Sequence, residues 1–333
     1  MSTAALDRLL AWLVALQLAT GLLSLRAGSP PTAVLFIVHG LLGGALLVAV
    51  AMKLWRSVPP AFEERRWGRL LLGFVLAAAA LTALLGGFVW VASGRILSVG
   101  PWTVLTLHVI AALVLVPIAV LHLLPRRWRL ARPPAARPGK PRISRRTALA
   151  TLGVAALGVA AWTAAGVSDT LMGGLRRFTG SRWLPEGGVP PPTTFFGEGA
   201  EPIDPAAWRL TVKGAVGRPL SLSLADLEAL GREQRSEVLD CTSGWVLRTD
   251  WGGTPLSAVL DAARPMIDAR EVTIRSITGW YARLPLPEAR GALLATTVAG
   301  QPLPHGNGYP CRLVAPDRRG LEWVKWVTEV HIS

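Results

Sequence analysis

Apolar and polar positions are distributed in two ways along the chain. Up to about residue 168 the apolar positions run together in long Leu/Ala/Val stretches with short breaks. After it they alternate with polar ones over short distances, punctuated by Pro, Gly and Trp. Five apolar stretches, at about 5–25, 32–54, 68–92, 102–124 and 147–168, reach the roughly 20 residues that a helix needs to cross a bilayer core. The fifth, rich in Ala and Gly, is the least apolar. Such a set predicts a helical bundle, because a helix satisfies its own backbone polar groups in hydrocarbon.

The remainder reads differently. Residues 171–206 carry GGVPPPTT and EGAEPIDP, a density of Pro and Gly that predicts irregular, wrapping chain. WRLTVKG (208–214) alternates as a strand, and SLADLEAL (223–230) reads as a short helix with Ser223 or Asp226 near its start. Further strands are predicted at 235–240, 271–276, 281–286, 311–315 and 323–332, and a helix at 255–263. The fold class is therefore multidomain: an all-α transmembrane helix bundle followed by a mixed α/β, β-rich domain. The predicted division is a four-helix membrane domain at 1–124, a basic cytoplasmic linker at 125–146 and a fifth transmembrane helix at 147–168. An extracytoplasmic linker at 169–206 and a C-terminal domain at 207–333 complete it, the wrapping segment starting near 183.

Charge fixes the orientation. The formal net charge is +14, but nine basic residues and no acid fall within 125–146, and without those nine the balance is only +5. The 53–69 loop adds Lys53, Arg56, Arg65, Arg66 and Arg69, whereas the opposite loops carry little beyond Arg26 and Arg95. By the positive-inside rule the second and fourth connections are cytoplasmic, and everything after about residue 170 lies outside the cytoplasm. Charge confined to helix flanks points to membrane lipid as its partner and argues against nucleic acid. Ser144-Arg145-Arg146-Thr147-Ala148-Leu149 before an apolar run has the form of a twin-arginine export signal, placed internally. The plainer alternative is that these arginines are the last of the positive-inside residues.

Three of the five histidines lie in the apolar stretches: His39, His108 and His122. Imidazole is costly in hydrocarbon without a partner, so each is a candidate for function. His39 sits about seven residues into the second helix and His108 about six into the fourth, and those helices run the same way. Two imidazoles at one depth can hold a haem b iron between them, near the outer surface. His122 is one ligand for a second haem, whose matching place in the second helix holds Lys53, with Met52 beside it. The pattern resembles four-helix b-type cytochromes of the cytochrome b561 kind, over about residues 5–124. Histidines bonded to neighbouring helices, in bundles that serve only as an anchor, are the alternative.

In the C-terminal part, VLDCTSGW (238–245) places Cys241 where a strand enters a Ser/Gly turn, a setting suited to a soft metal ligand. The only other cysteine is Cys311, so a Cys241–Cys311 disulfide in a non-enzymatic binding domain stays open on these residues alone. The order of motifs is more specific. WRLTVKG, LDCTSGW, DWGGTPLSAVL and SITGWY are followed by LPHGNGYPCRLVAP and RGLEWVKWV. This succession, over about 183–333, resembles the molybdopterin-binding domain of the sulfite oxidase family, which includes the catalytic subunits of periplasmic methionine sulfoxide reductases.

That resemblance implies a molybdenum-dependent oxidoreductase in which Cys241 binds molybdenum. It implies cofactor contacts from Ser276, Asn307, Arg312, Gly320 and Lys325. The residue types agree with such a role, since arginine and lysine suit a pterin phosphate and Gly306, Gly308 and Gly320 allow close backbone approach. Surface salt bridging is the ordinary alternative for Arg312 and Lys325. Trp245 and Trp251 read as core, and Tyr281 either lines the pocket or packs on its strand. Where the family has an Asn before an aromatic pair, this chain has Thr193-Thr194-Phe195-Phe196. The arginine cluster that holds sulfite in sulfite oxidases has no residue-by-residue match, so sulfite is not implied as substrate. The expected whole is a multi-pass cell-membrane enzyme whose catalytic domain lies on the periplasmic side. It transfers an oxygen atom to or from a small substrate and exchanges electrons through haem b with the quinone pool or another membrane carrier.

Overall fold

The computed structural model describes residues 1–63, 67–123, 144–194 and 198–333. Most of the basic arm, Arg65, Arg66 and the Phe195-Phe196 pair therefore lie outside the described residues. The chain divides into two compact units: Met1–Ser24 with Pro31–Arg182, and Leu25–Pro30 with Trp183–Ser333.

The first unit is helical. Its helices are α1 (Thr3–Ser24), α2 (Ala33–Glu63), α3 (Trp67–Ala92), α4 (Val104–Leu123) and α5 (Arg145–Leu171). A minimal hairpin, β1 (Ser98–Val99) with β2 (Trp102–Thr103), joins α3 to α4. All five helices are long and apolar enough to cross a membrane. Their outward faces are as apolar as their inward ones: Trp12, Trp55, Leu71, Leu121 and Leu152 are exposed while Leu6, Leu13, Leu46, Leu84 and Val154 form the inner cluster. A helix apolar all round has no water-facing stripe. Glycine sets how closely α2 and α5 approach, since a Cβ on Gly44 would run into the backbone of Gly158, and one on Gly40 into the Trp162 indole. Ser144 caps α5, its side chain accepting from the Thr147 N–H, so Arg145 and Arg146 open the helix as exposed first-turn residues. The helix thus starts two residues earlier than the apolar run alone predicts. At the other end Asp169 is buried with Arg182, which also donates to the Trp90 carbonyl.

The second unit holds two sheets. After β3 (Arg182–Trp183) come β4 (Leu210–Gly214), β5 (Leu220–Leu222), α6 (Leu224–Ala229), β6 (Glu233–Asp240) and β7 (Trp245–Pro255). Then follow α7 (Leu256–Ala263), β8 (Glu271–Ser276), β9 (Tyr281–Pro285), α8 (Leu286–Ala289), β10 (Leu293–Val298), β11 (Gln301–Pro302), β12 (Arg312–Val314) and β13 (Val327–Ile332). One sheet runs β11-β10-β7-β3, with β12 also on β10 and β6 also on β7. The other runs β5-β4-β13-β8-β9, with β4 and β13 parallel. Leu210 and Val212 of β4, and Ala282 and Leu284 of β9, bury alternate positions, as strands with one dry face do. Ser223 and Asp226 form a reciprocal capping box on α6. Helix α7 buries Leu256, Val259, Leu260 and Ala263, the spacing of one helical face.

Three sequence readings need correction. The strand expected over 323–332 begins at Val327, because Trp323–Trp326 leave the ladder and Trp326 takes a left-handed φ of 49°. The strand expected over 311–315 is confined to Arg312–Val314. β7 and β10 were not foreseen: β7 carries two glycines and two tryptophans, and β10 is buried on both faces, so neither alternates cleanly.

Candidate cofactor site

Cys241 follows the last residue of β6 at a tight turn. Its N–H donates to the Trp245 carbonyl at 2.9 Å, and its carbonyl accepts from the Gly244 N–H at 2.9 Å, a turn closed by Gly244 at φ 103°. Beneath it, Asp240 is fully buried and pairs with buried Arg319, whose Nη2 lies 3.2 Å from Asp240 Oδ1. The same Nη2 donates to the Cys241 carbonyl at 3.2 Å. Gly320 fits closely here, since a Cβ would stand 3.2 Å from both the Asp240 carbonyl oxygen and the Cys241 Cα. Burial pushes the Cys241 thiol up, while hydrogen bonds from Ser243 and the charge of Arg319 oppose that. No disulfide joins Cys241 to Cys311, which is fully buried beside β12.

Arg312, on β12, is 2% exposed and has no salt bridge among the described residues. Its Nη1 donates to the Asn307 carbonyl at 3.0 Å and its Nη2 to the Trp323 carbonyl at 3.3 Å. The guanidinium stacks near Trp251 and Trp323, 5.0 and 5.8 Å from their ring centres, and its Nε has no hydrogen-bond partner. Burial lowers the Arg312 pKa to about 10, with Cys241 pulling the other way. Surface salt bridging therefore does not describe Arg312.

Lys325 reaches the same region from the irregular segment before β13. Its Nζ donates to the Thr193 and Gly306 carbonyls, each at 2.6 Å. Burial and then Arg312 lower its pKa to about 8, while Cys241 and Glu198 raise it. Asn307 is buried in a 3₁₀ turn, and its Nδ2 donates to the Pro190 carbonyl at 2.9 Å. Gly308 next to it sits at φ 107°, where a Cβ would lie 3.0 Å from Arg312 Cβ and from Lys325 Cα and Cβ. Buried Ser276 ends β8, its Oγ 3.0 Å from the Thr278 hydroxyl; that hydroxyl donates its one proton to Glu198 Oε1 at 2.7 Å, which leaves Ser276 as the donor to Thr278.

The sequence candidates thus converge. Gly320 lies against Cys241, whose charge bears on Arg312 and Lys325. Asn307 holds Arg312 through its carbonyl, and Ser276 reaches Glu198 through Thr278, a carboxylate whose charge raises the Lys325 pKa. A buried Arg312 and a half-buried Lys325 without carboxylate partners among the described residues, an Arg312 Nε with no hydrogen-bond partner and a thiol fit an anionic group that carries a soft metal. Trp245 and Trp251 are buried as expected, although Trp251 also stacks on Arg312. Tyr281 is 46% exposed and lies between Arg275 and Arg283. Sequence reasoning missed the Asp240–Arg319 pair and Ser243. The available signal was an acid directly before the cysteine, since a buried acid requires a cation. Thr193 also enters the site: its carbonyl accepts from Lys325 and its hydroxyl from the Trp245 indole at 3.1 Å.

The helical unit holds a second constellation. The His39 and His108 ring centres are 6.2 Å apart. His108 Nδ1 lies 2.6 Å from the Ala83 carbonyl, so that nitrogen carries the proton and donates. Thr20 donates its hydroxyl proton to the Leu16 carbonyl, which leaves its oxygen to accept from His39 Nδ1 at 2.9 Å. His39 Nε2 then accepts from the Gln17 amide at 3.1 Å. Lys53 is paired with Asp7 at 2.6 Å. His122 is half-buried near the end of α4, and among the described residues no group of three or more His, Cys, Asp or Glu has metal-binding geometry.

Comparison with known proteins bears on the second unit. Residues 198–333 match the oxidoreductase molybdopterin binding domain. The protein-methionine-sulfoxide reductase catalytic subunit MsrP of Xanthomonas campestris is 32% identical over 164 residues, 41% of this chain and 51% of that subunit. The MsrP subunit of Xanthomonas axonopodis matches with the same identity and coverage. The chain thus spans about half the length of these relatives. YuiH of Bacillus subtilis, an uncharacterised oxidoreductase, is 30% identical over 133 residues, 39% of this chain and 67% of YuiH. Among solved structures, the sulfane dehydrogenase SoxCD of Paracoccus pantotrophus aligns over 40% of each chain with 25% identity and a TM-score of 0.39. The chain belongs to the family of oxidoreductases built on this molybdopterin-binding domain.

Proposed function

We propose that the chain is a membrane-anchored molybdenum oxidoreductase, acting by oxygen-atom transfer on a small substrate outside the cytoplasm. The observation that carries this reading is the electrostatic coupling of Cys241 to two cations, buried Arg312 and half-buried Lys325, that have no carboxylate at salt-bridge distance among the described residues. Cys241 would ligate molybdenum, Arg312 and Lys325 would neutralise the anionic pterin, and Asn307, Ser276 and Gly320 would shape its bed. When bound, the cofactor supplies the two-electron redox chemistry. The chain's own residues bind and orient it, and its buried tryptophans keep water from the Arg312 side. A sulfoxide is the substrate class we favour, because the MsrP relatives carry that activity in their name.

The five apolar helices support a membrane anchor, and the histidine pair supports a haem b between His39 and His108. With Nδ1 tied on both rings, each Nε2 keeps its lone pair for a metal. Gln17 would have to release His39 Nε2 on binding. Electrons would then pass between this haem and the quinone pool, and His122 is the candidate for a second haem. One observation favours a rival in which the helices anchor and nothing more: both His39 nitrogens already have hydrogen-bond partners on α1.

The test is made on the purified full-length protein. Molybdenum and pterin are expected in near-equal amounts, with turnover of one among sulfoxides, N-oxides and sulfite; absence of molybdenum from a competent host rejects the reading. A reduced-minus-oxidised spectrum is expected to show a b-type band that His39→Ala or His108→Ala removes. A band that survives both substitutions, or no band at all, leaves the helices as an anchor.

A further inference from the structure

Every backbone handle of Cys241 is fixed. The N–H is held by Trp245, the carbonyl by Gly244 and Arg319, and the Cα is flanked by Gly320. What remains adjustable is the sulfur, and the side chain set against it is Ser243, with Oγ 3.0 Å from Sγ. In a free thiol either atom can donate across that contact. A metal on the sulfur replaces the proton, and from then on the sulfur only accepts, from the serine hydroxyl and from the Ser243 backbone N–H.

We infer that Ser243 is a positioning residue for the metal-bound sulfur, its hydroxyl donating to Cys241 Sγ so as to fix the sulfur's rotamer and raise the metal's reduction potential. The inference rests on the molybdopterin reading above. A donor to a metal-bound thiolate draws charge from the sulfur, weakens its donation to the metal and favours the reduced metal. The geometry of the seat makes the effect local. With the Cys241 backbone held on three sides, a change at Ser243 acts on the sulfur without moving the strand that carries it. A serine placed there only to make the turn would leave the potential indifferent to its hydroxyl.

Ser243→Thr and Ser243→Val separate the two roles, because they differ by a hydroxyl in place of a methyl. Molybdenum and pterin are quantified first in the full-length protein, and the Mo(V) electron paramagnetic resonance signal is then followed through a redox titration. The inference expects Ser243→Thr to titrate with the wild type and Ser243→Val at a more negative potential, by about fivefold in the one-electron equilibrium. Retention of molybdenum by Ser243→Thr but not by Ser243→Val supports it equally. Coincident potentials, or equal loss of metal from both variants, overturn it. Wild-type protein that lacks molybdenum fails the molybdopterin reading itself, a result distinct from either.

Discussion

Arg312 and Lys325 are cations that folding places where cations are costly. Among the described residues neither has a carboxylate at salt-bridge distance, and each holds its position by donating to backbone carbonyls. An arrangement that disfavours the bare protein and favours an anion is what a cofactor pocket requires. Lys325 makes this measurable in the cofactor-free protein. Its pKa falls from 10.5 to about 8 on folding, through burial first and Arg312 second. Between those values the unfolded chain holds more protons than the folded one, so stability rises with pH across that window. Thermal melts of cofactor-free protein are expected to show that rise, and Lys325→Met is expected to flatten it. A slope unchanged by the substitution would assign it to other groups.

Among the elements, the crossing of α2 and α5 depends on the absence of side chains. Gly44 and Gly158 let the two backbones touch, and Gly40 admits the Trp162 indole. Small residues allow close helix approach where no difference in apolarity between lipid and side chain drives association. Gly158→Leu is expected to push the helices apart, and a gain in trypsin sensitivity of the detergent-solubilised protein would report it. Gly153, beside which a Cβ meets nothing within 4 Å, provides the control: Gly153→Leu is expected to leave the digestion pattern unchanged. In the second unit, β6 and β7 pair over eight residues from Glu233↔Gly253 to Asp240↔Val246. That ladder delivers Cys241 to its turn, so the sulfur's place is set by register as much as by local sequence.

For the whole molecule, the proposed placement is an anchor in the membrane with the second unit outside the cytoplasm. Two measurements check it. The chain is expected to stay with membranes through alkaline carbonate and to leave them only in detergent. Protease added to intact spheroplasts is expected to cleave the second unit. Protection there, with cleavage only in inverted vesicles, would place the domain inside and refute the orientation read from Lys and Arg. Whether the Arg145-Arg146 pair serves export is a separate question, which Arg145→Lys with Arg146→Lys addresses by keeping the charge and changing the motif.

The sequence by itself determined the five apolar helices, because an uninterrupted apolar run has few other ways to satisfy its backbone. It also determined the family of the second unit, because ordered motifs from Trp208 to Trp326 are local strings that need no folding to be seen. Cys241, Asn307, Arg312 and Lys325 were legible for the same reason. The strands β7 and β10 were not: burial on both faces of β10 erases the alternation that marks a strand, and β7 breaks its alternation with Gly252 and Gly253. Nor were Arg319 under Asp240, 79 positions away, or Thr193 beside Lys325, 132 positions away. Such partners are chosen by which backbone segments the two sheets bring together, and no spacing in the chain encodes a contact made across them. Only the tertiary structure decided that Arg312 is buried and Lys325 half-buried, neither with a carboxylate partner among the described residues, and that Ser243 faces the sulfur.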